Sequence, residues 1–289
     1  MRKLGIFLLA MSVAMGVVSC KKADDIRKPY EVTCIKDIVI ESKFITDKDY
    51  KCPFNVILPA DYETSGKRYP VLYLLHGMNN DNHAWQTKGD VVNLTKKAVD
   101  AGVIAPFIIV CPNAYLSFYV DDLEWPELLD QPVLKFESFF TKELQPYIES
   151  HFPVLTDKGH TAVAGLSMGG YGASYYAFKY PEKYCFCASF SGAVSGGDWT
   201  GLTDRVPSVE DIFNAKGYTK SDFLRLPEYV MDCGSEDMIC SLFNEITHDF
   251  LVSIDFPHTY RVYPGVHDWD YWQPAYERML PELAEHFGK

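Results

Sequence analysis

The chain has 289 residues, 47% of them hydrophobic and 15% aromatic, which excludes a disordered polymer and leaves room for one large, well-covered domain. Its formal net charge is −12 and no basic stripe breaks that balance, which excludes nucleic acid as an electrostatic partner and docking on anionic lipid through charge.

Arg2 and Lys3 open the chain, followed by an apolar run over 4–18 that closes on Val17-Val18-Ser19-Cys20. Residues 1–19 read as a secretory signal, too short for a comfortable transmembrane span. The cysteine at its end resembles a bacterial lipobox. That resemblance implies cleavage before Cys20, a lipid on its sulfur and amine, and export to a bacterial membrane, on the periplasmic side or the cell surface. Residues 20–29 read as a polar tether, and residues 30–289 as one domain with no internal repeat or linker. Seven cysteines remain after Cys20, so at least one is unpaired within the chain. Cys34 and Cys52 lie on neighbouring expected strands and are candidates for a disulfide. No cysteine or histidine spacing matches a zinc site.

Residues 32–44 and 50–58 read as an antiparallel pair of strands joined at Asp47-Lys48-Asp49. Val71–Leu75 is a continuous apolar run of the kind found in buried parallel strands. His76-Gly77-Met78 follows it. A helix is expected over 91–101, ending at Gly102, and a strand over 106–111. The stretch 112–130 carries Tyr115, Phe118, Tyr119 and Trp125 without clear period, which suits a functional loop or lid. Residues 134–152 read as a helix kinked at Pro146.

The chain is organised around Gly165-Leu166-Ser167-Met168-Gly169-Gly170. An apolar strand precedes it, and a helix rich in small residues follows. Strand, sharp Gly-x-Ser-x-Gly turn and helix make the nucleophile elbow of an α/β-hydrolase. The glycines flanking Ser167 are needed because strand and helix cross too closely for a Cβ. Further strands are expected over 184–190, 229–232 and Thr259–Tyr263, with helices over Ser241–Ser253 and 268–286. An irregular insertion spans 196–226. Strands alternating with helices after an antiparallel start predict a mostly parallel central sheet with an antiparallel N-terminal edge and helices on both faces.

In this fold the acid and then the histidine follow the serine, each on a loop after a strand. His248 falls inside a helix, His258 precedes the last strand and His286 lies near the C-terminus. His267 follows the last strand and is the expected base. Asp232, Glu236 and Asp237 cluster after the strand before it; Asp237 is the expected acid, with Asp232 the alternative. The backbone N–H groups of Met78 and Met168 are the expected oxyanion donors. His76 reads as a structural residue. Trp85, Tyr115 and Trp269 are the candidate substrate-binding aromatics, with Trp125, Trp199 and Trp272 also available.

Together His76-Gly77-Met78, Gly165-Leu166-Ser167-Met168-Gly169-Gly170, Cys233-Gly234-Ser235-Glu236-Asp237 and Gly265-Val266-His267-Asp268-Trp269 resemble the esterase D group of α/β-hydrolases, which includes feruloyl and acetyl-xylan esterases. The resemblance covers roughly residues 34–287, and the group's acid matches Asp237. It implies a serine carboxylesterase working through an acyl-enzyme, with no metal or cofactor. An ester on plant polysaccharide is the expected substrate. Acyl transfer to a sugar hydroxyl and a general short-chain esterase are the alternatives within the group; a non-catalytic glycan-binding lipoprotein is the alternative of another class. Nothing in the sequence indicates an oligomeric state.

Overall fold

The computed structural model describes residues 32–59, 61–125, 131–194 and 206–288. The expected signal over 1–19, Cys20, the expected tether over 20–29 and Trp199 lie outside them. Among the described residues, eight strands form one sheet in the order β1-β2-β4-β3-β5-β6-β7-β8: β1 Val32–Ile38, β2 Phe54–Pro59, β3 Val71–Leu75, β4 Ile108–Pro112, β5 Thr161–Leu166, β6 Phe186–Phe190, β7 Glu228–Gly234 and β8 Thr259–Tyr263. β2 runs antiparallel to both β1 and β4, and every later pairing is parallel. This is the expected α/β-hydrolase sheet with its antiparallel N-terminal edge.

The pleat sorts the apolar runs into two cores. Val71, Tyr73 and Leu75 of β3 enter one, and Leu72 and Leu74 enter the other. Helices cover both faces. α1 (Ala84–Thr87), α2 (Val91–Asp100) and α8 (Trp269–Phe287) pack on the second core. α3 (Phe136–Phe139), α4 (Gln145–His151), α5 (Met168–Lys179) and α6 (Val209–Lys216) pack on the first, and α7 (Ser241–Ser253) adds Leu251 to it.

Three local expectations change. β1 stops at Ile38 rather than continuing to 44, because Asp37 takes a positive φ and the register with β2 shifts there. β2 begins at Phe54 rather than Tyr50; Pro53 has no N–H for the ladder, and Cys52 is itself at positive φ. The helix over 136–151 widens into a π-turn at Phe140–Leu144, just before Pro146. Pro146 cannot donate to the preceding turn, and the wider turn absorbs that break. Cys34 and Cys52 are unbridged. The register sets Cys34 against Ile57, five residues beyond Cys52, so the pair does not face across the strands.

Candidate active site

Ser167 sits between β5 and α5 with φ 54° and ψ −119°, a strained conformation for a residue with a Cβ. Its neighbours enforce that turn. A Cβ on Gly165 would stand 2.3 Å from the Gly169 carbonyl oxygen, and one on Gly169 would stand 2.4 Å from that of Leu75. Strand, elbow and helix therefore touch backbone to backbone. The Ser167 N–H donates to the Phe190 carbonyl at 2.9 Å, which ties the elbow to the end of β6. The Ser167 side chain stays partly exposed at the carboxyl edge of the sheet.

His267 lies on the short loop between β8 and α8. Its Nε2 is 3.0 Å from Ser167 Oγ, and its Nδ1 is 2.8 Å from Asp237 Oδ2. Three residues separated by 30 and 100 positions in the chain thus form one hydrogen-bonded row. Asp237 is fully buried. Its Oδ1 accepts the amides of Ile239 at 3.0 Å and Cys240 at 2.8 Å. Burial alone would push its carboxyl up, but the His267 hydrogen bond and charge, with the Cys240 amide, outweigh that and hold it below the ordinary carboxylate range. An ionised Asp237 accepts only, so His267 carries its proton on Nδ1 and presents a bare Nε2 to the serine hydroxyl.

The histidine loop is clamped from the acid loop. Glu236 donates its backbone N–H to the Gly265 carbonyl at 3.0 Å and accepts the Gly265 N–H on Oε2 at 2.8 Å. The Asp268 side chain accepts the Tyr271 N–H at 3.2 Å and caps α8 directly after His267. The ring of Trp272 meets His267 edge-on at 4.9 Å and limits its swing.

Asp232 is placed differently. It is buried, and Arg278 of α8 grips both its oxygens at 2.9 and 2.8 Å, while the Tyr271 hydroxyl donates to Oδ1. It anchors α8 to β7 and makes none of these bonds to His267. The other histidines after Ser167 are engaged elsewhere: His248 pairs with His258 at 2.8 Å, and His286 pairs with Glu228 at 2.9 Å.

Met78 lies beside the elbow. A Cβ on the preceding Gly77 would stand 2.6 Å from Leu166 Cδ1 and 3.2 Å from Ser167 Cβ, so the loop after β3 presses on the Ser167 turn. Met168 is the first residue of α5, where a helix leaves its N–H without an internal acceptor. Both amides therefore belong to backbone that borders Ser167.

The aromatic candidates separate. Trp85 is 1% exposed and donates its ring N–H to the Leu75 carbonyl at 2.9 Å. It is a core residue packed among Phe190, Trp269 and Tyr276, which corrects its expected contact with substrate. Trp269 is partly exposed and stands edge-on to both Trp85 and Trp272. Tyr115 is partly exposed at positive φ and packs edge-on to Tyr50 at 5.2 Å. Sequence reasoning missed the Asp232–Arg278–Tyr271 network and the Glu236 clamp. The acidic cluster at 232–237 was the visible signal for both.

Residues 47–211 match the putative esterase family. The chain belongs to that family. It is similar to an esterase of Mycobacterium tuberculosis, 38% identical over 149 residues, covering 49% of this chain and 29% of that protein. It is also similar to an endo-1,4-beta-xylanase/feruloyl esterase of Xylanibacter ruminicola, 32% identical over 149 residues, covering 50% of this chain and 19% of that protein. These matches span less than a third of either curated relative. Among solved structures, a ferulic acid esterase superposes with a TM-score of 0.75 at 32% identity, covering 90% of this chain and all of that one.

Proposed function

We propose that this member of the putative esterase family hydrolyses carboxylic esters through Ser167, His267 and Asp237. The observation that carries the reading is the continuous row Ser167 Oγ–His267 Nε2, His267 Nδ1–Asp237 Oδ2, at 3.0 and 2.8 Å. In it Ser167 Oγ attacks the ester carbonyl carbon while its proton passes to His267 Nε2. The carbonyl oxygen becomes an oxyanion facing the N–H groups of Met78 and Met168. The tetrahedral carbon expels the alcohol, which takes the proton back from Nε2, and an acyl-enzyme remains. Water then donates a proton to the same nitrogen, attacks the acyl carbon and releases the acid and free Ser167. Asp237 keeps its charge throughout and stabilises the imidazolium.

The substrate class in this reading is a feruloyl or acetyl ester on plant polysaccharide. Its support is the naming of two relatives for feruloyl or ferulic acid esters, one of them joined to a xylanase. Export and a lipid anchor at Cys20 belong to the same proposal and rest on the N-terminal sequence. The test is release of ferulate and acetate from decorated xylan, with p-nitrophenyl acetate in parallel. Release by wild type and none by Ser167→Ala supports the reading. Turnover of the small ester alone removes the polysaccharide and leaves the esterase. No turnover of any ester removes both.

A further inference from the structure

Cys240 precedes α7 and is fully buried, yet ester hydrolysis gives its thiol nothing to do. Its sulfur, a carboxylate oxygen of Asp237 and a ring nitrogen of His267 all lie within 4.8 Å of one another. Sulfur, imidazole nitrogen and carboxylate oxygen are the donor types that zinc takes. With bonds of about 2.0–2.3 Å, donors on one tetrahedral zinc stand roughly 3.3–3.6 Å apart. The 2.8 Å pair of Asp237 and His267 therefore opens a little, and the separations to Cys240, within 4.8 Å, close by at most roughly 1.5 Å. Charge also favours the ion. One thiolate and one carboxylate neutralise a divalent cation, so the buried cluster carries no net charge once loaded. A second thiol stands close, with Cys233 Sγ 3.7 Å from Asp237 Oδ2.

We propose that Asp237, Cys240 and His267 form an inhibitory site for a thiophilic divalent cation, of which Zn2+ is the type. The consequence for catalysis rests on the triad reading above; the binding itself does not. On loading, the hydrated ion sheds water and bonds Cys240 Sγ, an Asp237 oxygen and His267 Nδ1. The thiol proton leaves to solvent, one per ion. The Nδ1 proton moves to Nε2, which then bears hydrogen and accepts nothing from Ser167. The nucleophile loses its base, and turnover stops until the metal is removed. Burial pushes the Cys240 thiol well up, so it is a poor nucleophile without metal and its use in the cluster depends on the ion displacing its proton.

The test uses the full chain freed of metal with chelator. p-Nitrophenyl acetate turnover is followed during Zn2+ titration, and each variant is normalised to its own metal-free rate. The expected result is inhibition of wild type that chelator reverses, and an inhibitory concentration about 10-fold or more higher in Cys240→Ala. Binding is read separately on Ser167→Ala with Cd2+ as probe, through thiolate-to-metal charge-transfer absorption in the ultraviolet. One equivalent of band that disappears in Ser167→Ala/Cys240→Ala supports the site. Cys240→Ser serves in place of alanine if that variant does not fold, since it keeps the shape and removes the soft donor. Equal Zn2+ sensitivity with and without the Cys240 thiol overturns the proposal, as does a Cd2+ band that does not depend on it. If no ester is turned over but the Cys240-dependent band forms, the esterase reading fails and the metal site stands.

Discussion

His76 joins the loop after β3 to the loop after β4: its Nε2 accepts the Ala114 N–H at 3.0 Å, and its Nδ1 donates to the Gly77 carbonyl at 2.8 Å. The Tyr119 hydroxyl closes the joint by donating to the His76 carbonyl at 2.8 Å. Both ring nitrogens are used by a neutral imidazole, so His76 is structural, and it holds the backbone that leads into Met78. Burial pushes its pKa down to about 4.

That shift predicts a pH dependence of stability. An unfolded histidine titrates near 6.5, so on acidification the unfolded chain takes up its proton before the folded one does. The His76 contribution is complete above pH 6.5 and is lost between 6.5 and about 4, an effect of about 3 kcal/mol. His76→Gln keeps an acceptor for Ala114 and removes the titration. Urea unfolding across this range is expected to show a shallower acid slope in the variant. Identical slopes would show that His76 is not the group responsible.

Asp237 and Asp232 are both buried carboxylates near the end of β7, and they predict opposite losses. Asp237→Asn keeps the shape but no longer fixes the His267 tautomer, so kcat is expected to fall by about 10,000-fold with the fold intact. Asp232→Ala leaves Arg278 without its partner. It is expected to cost about 3 kcal/mol of stability, with a much smaller effect on kcat in the protein that remains folded. Steady-state kinetics and thermal unfolding on both variants separate the roles. A reversal of the two patterns would move the acid to Asp232.

Much of this site was legible before the fold, and the reasons are local. Val71–Leu75, Ser241–Ser253 and Thr259–Tyr263 have the boundaries read from the sequence, because each is an uninterrupted run whose ends meet turns or Pro and polar residues. Ser167, His267 and Asp237 each stand out by their place after a strand, and the fold brings them into one hydrogen-bonded row. What escaped depends on contacts between distant residues. Arg278 lies 46 positions from Asp232, and no periodicity relates a helix arginine to a strand aspartate. The early end of β1 follows from a single positive φ at Asp37, whose N–H goes to the Asn55 side chain at 2.8 Å instead of continuing the ladder. Trp85 resembled a loop aromatic because α1 is only four residues long and shows no face of its own.

Glu236 clamps the histidine loop through two hydrogen bonds to Gly265, one from its backbone and one to its carboxylate. Glu236→Ala removes only the second. His267 then gains freedom relative to Ser167, so kcat is expected to fall roughly 10-fold while KM changes by less than about twofold. Glu236→Gln keeps an acceptor for the Gly265 N–H and is expected to recover most of the loss. A change in KM alone would place Glu236 in substrate binding instead.

Trp85 bears on where substrate specificity resides. Its indole N–H satisfies the Leu75 carbonyl at the end of β3, directly before the loop that carries Met78, and its ring fills the core between β6 and α8. Trp85→Phe keeps most of the apolar volume and leaves that buried carbonyl without its donor. The expected cost is about 1–3 kcal/mol of stability, read by urea unfolding. KM for acetyl and feruloyl esters is expected to stay within about twofold, because the residue is buried and its ring is packed inside the core. A variant of unchanged stability whose KM rises for the aromatic ester alone would return Trp85 to the binding surface. The expected pattern instead leaves Tyr115 and Trp269, both partly exposed, as the aromatic positions where substitution changes KM.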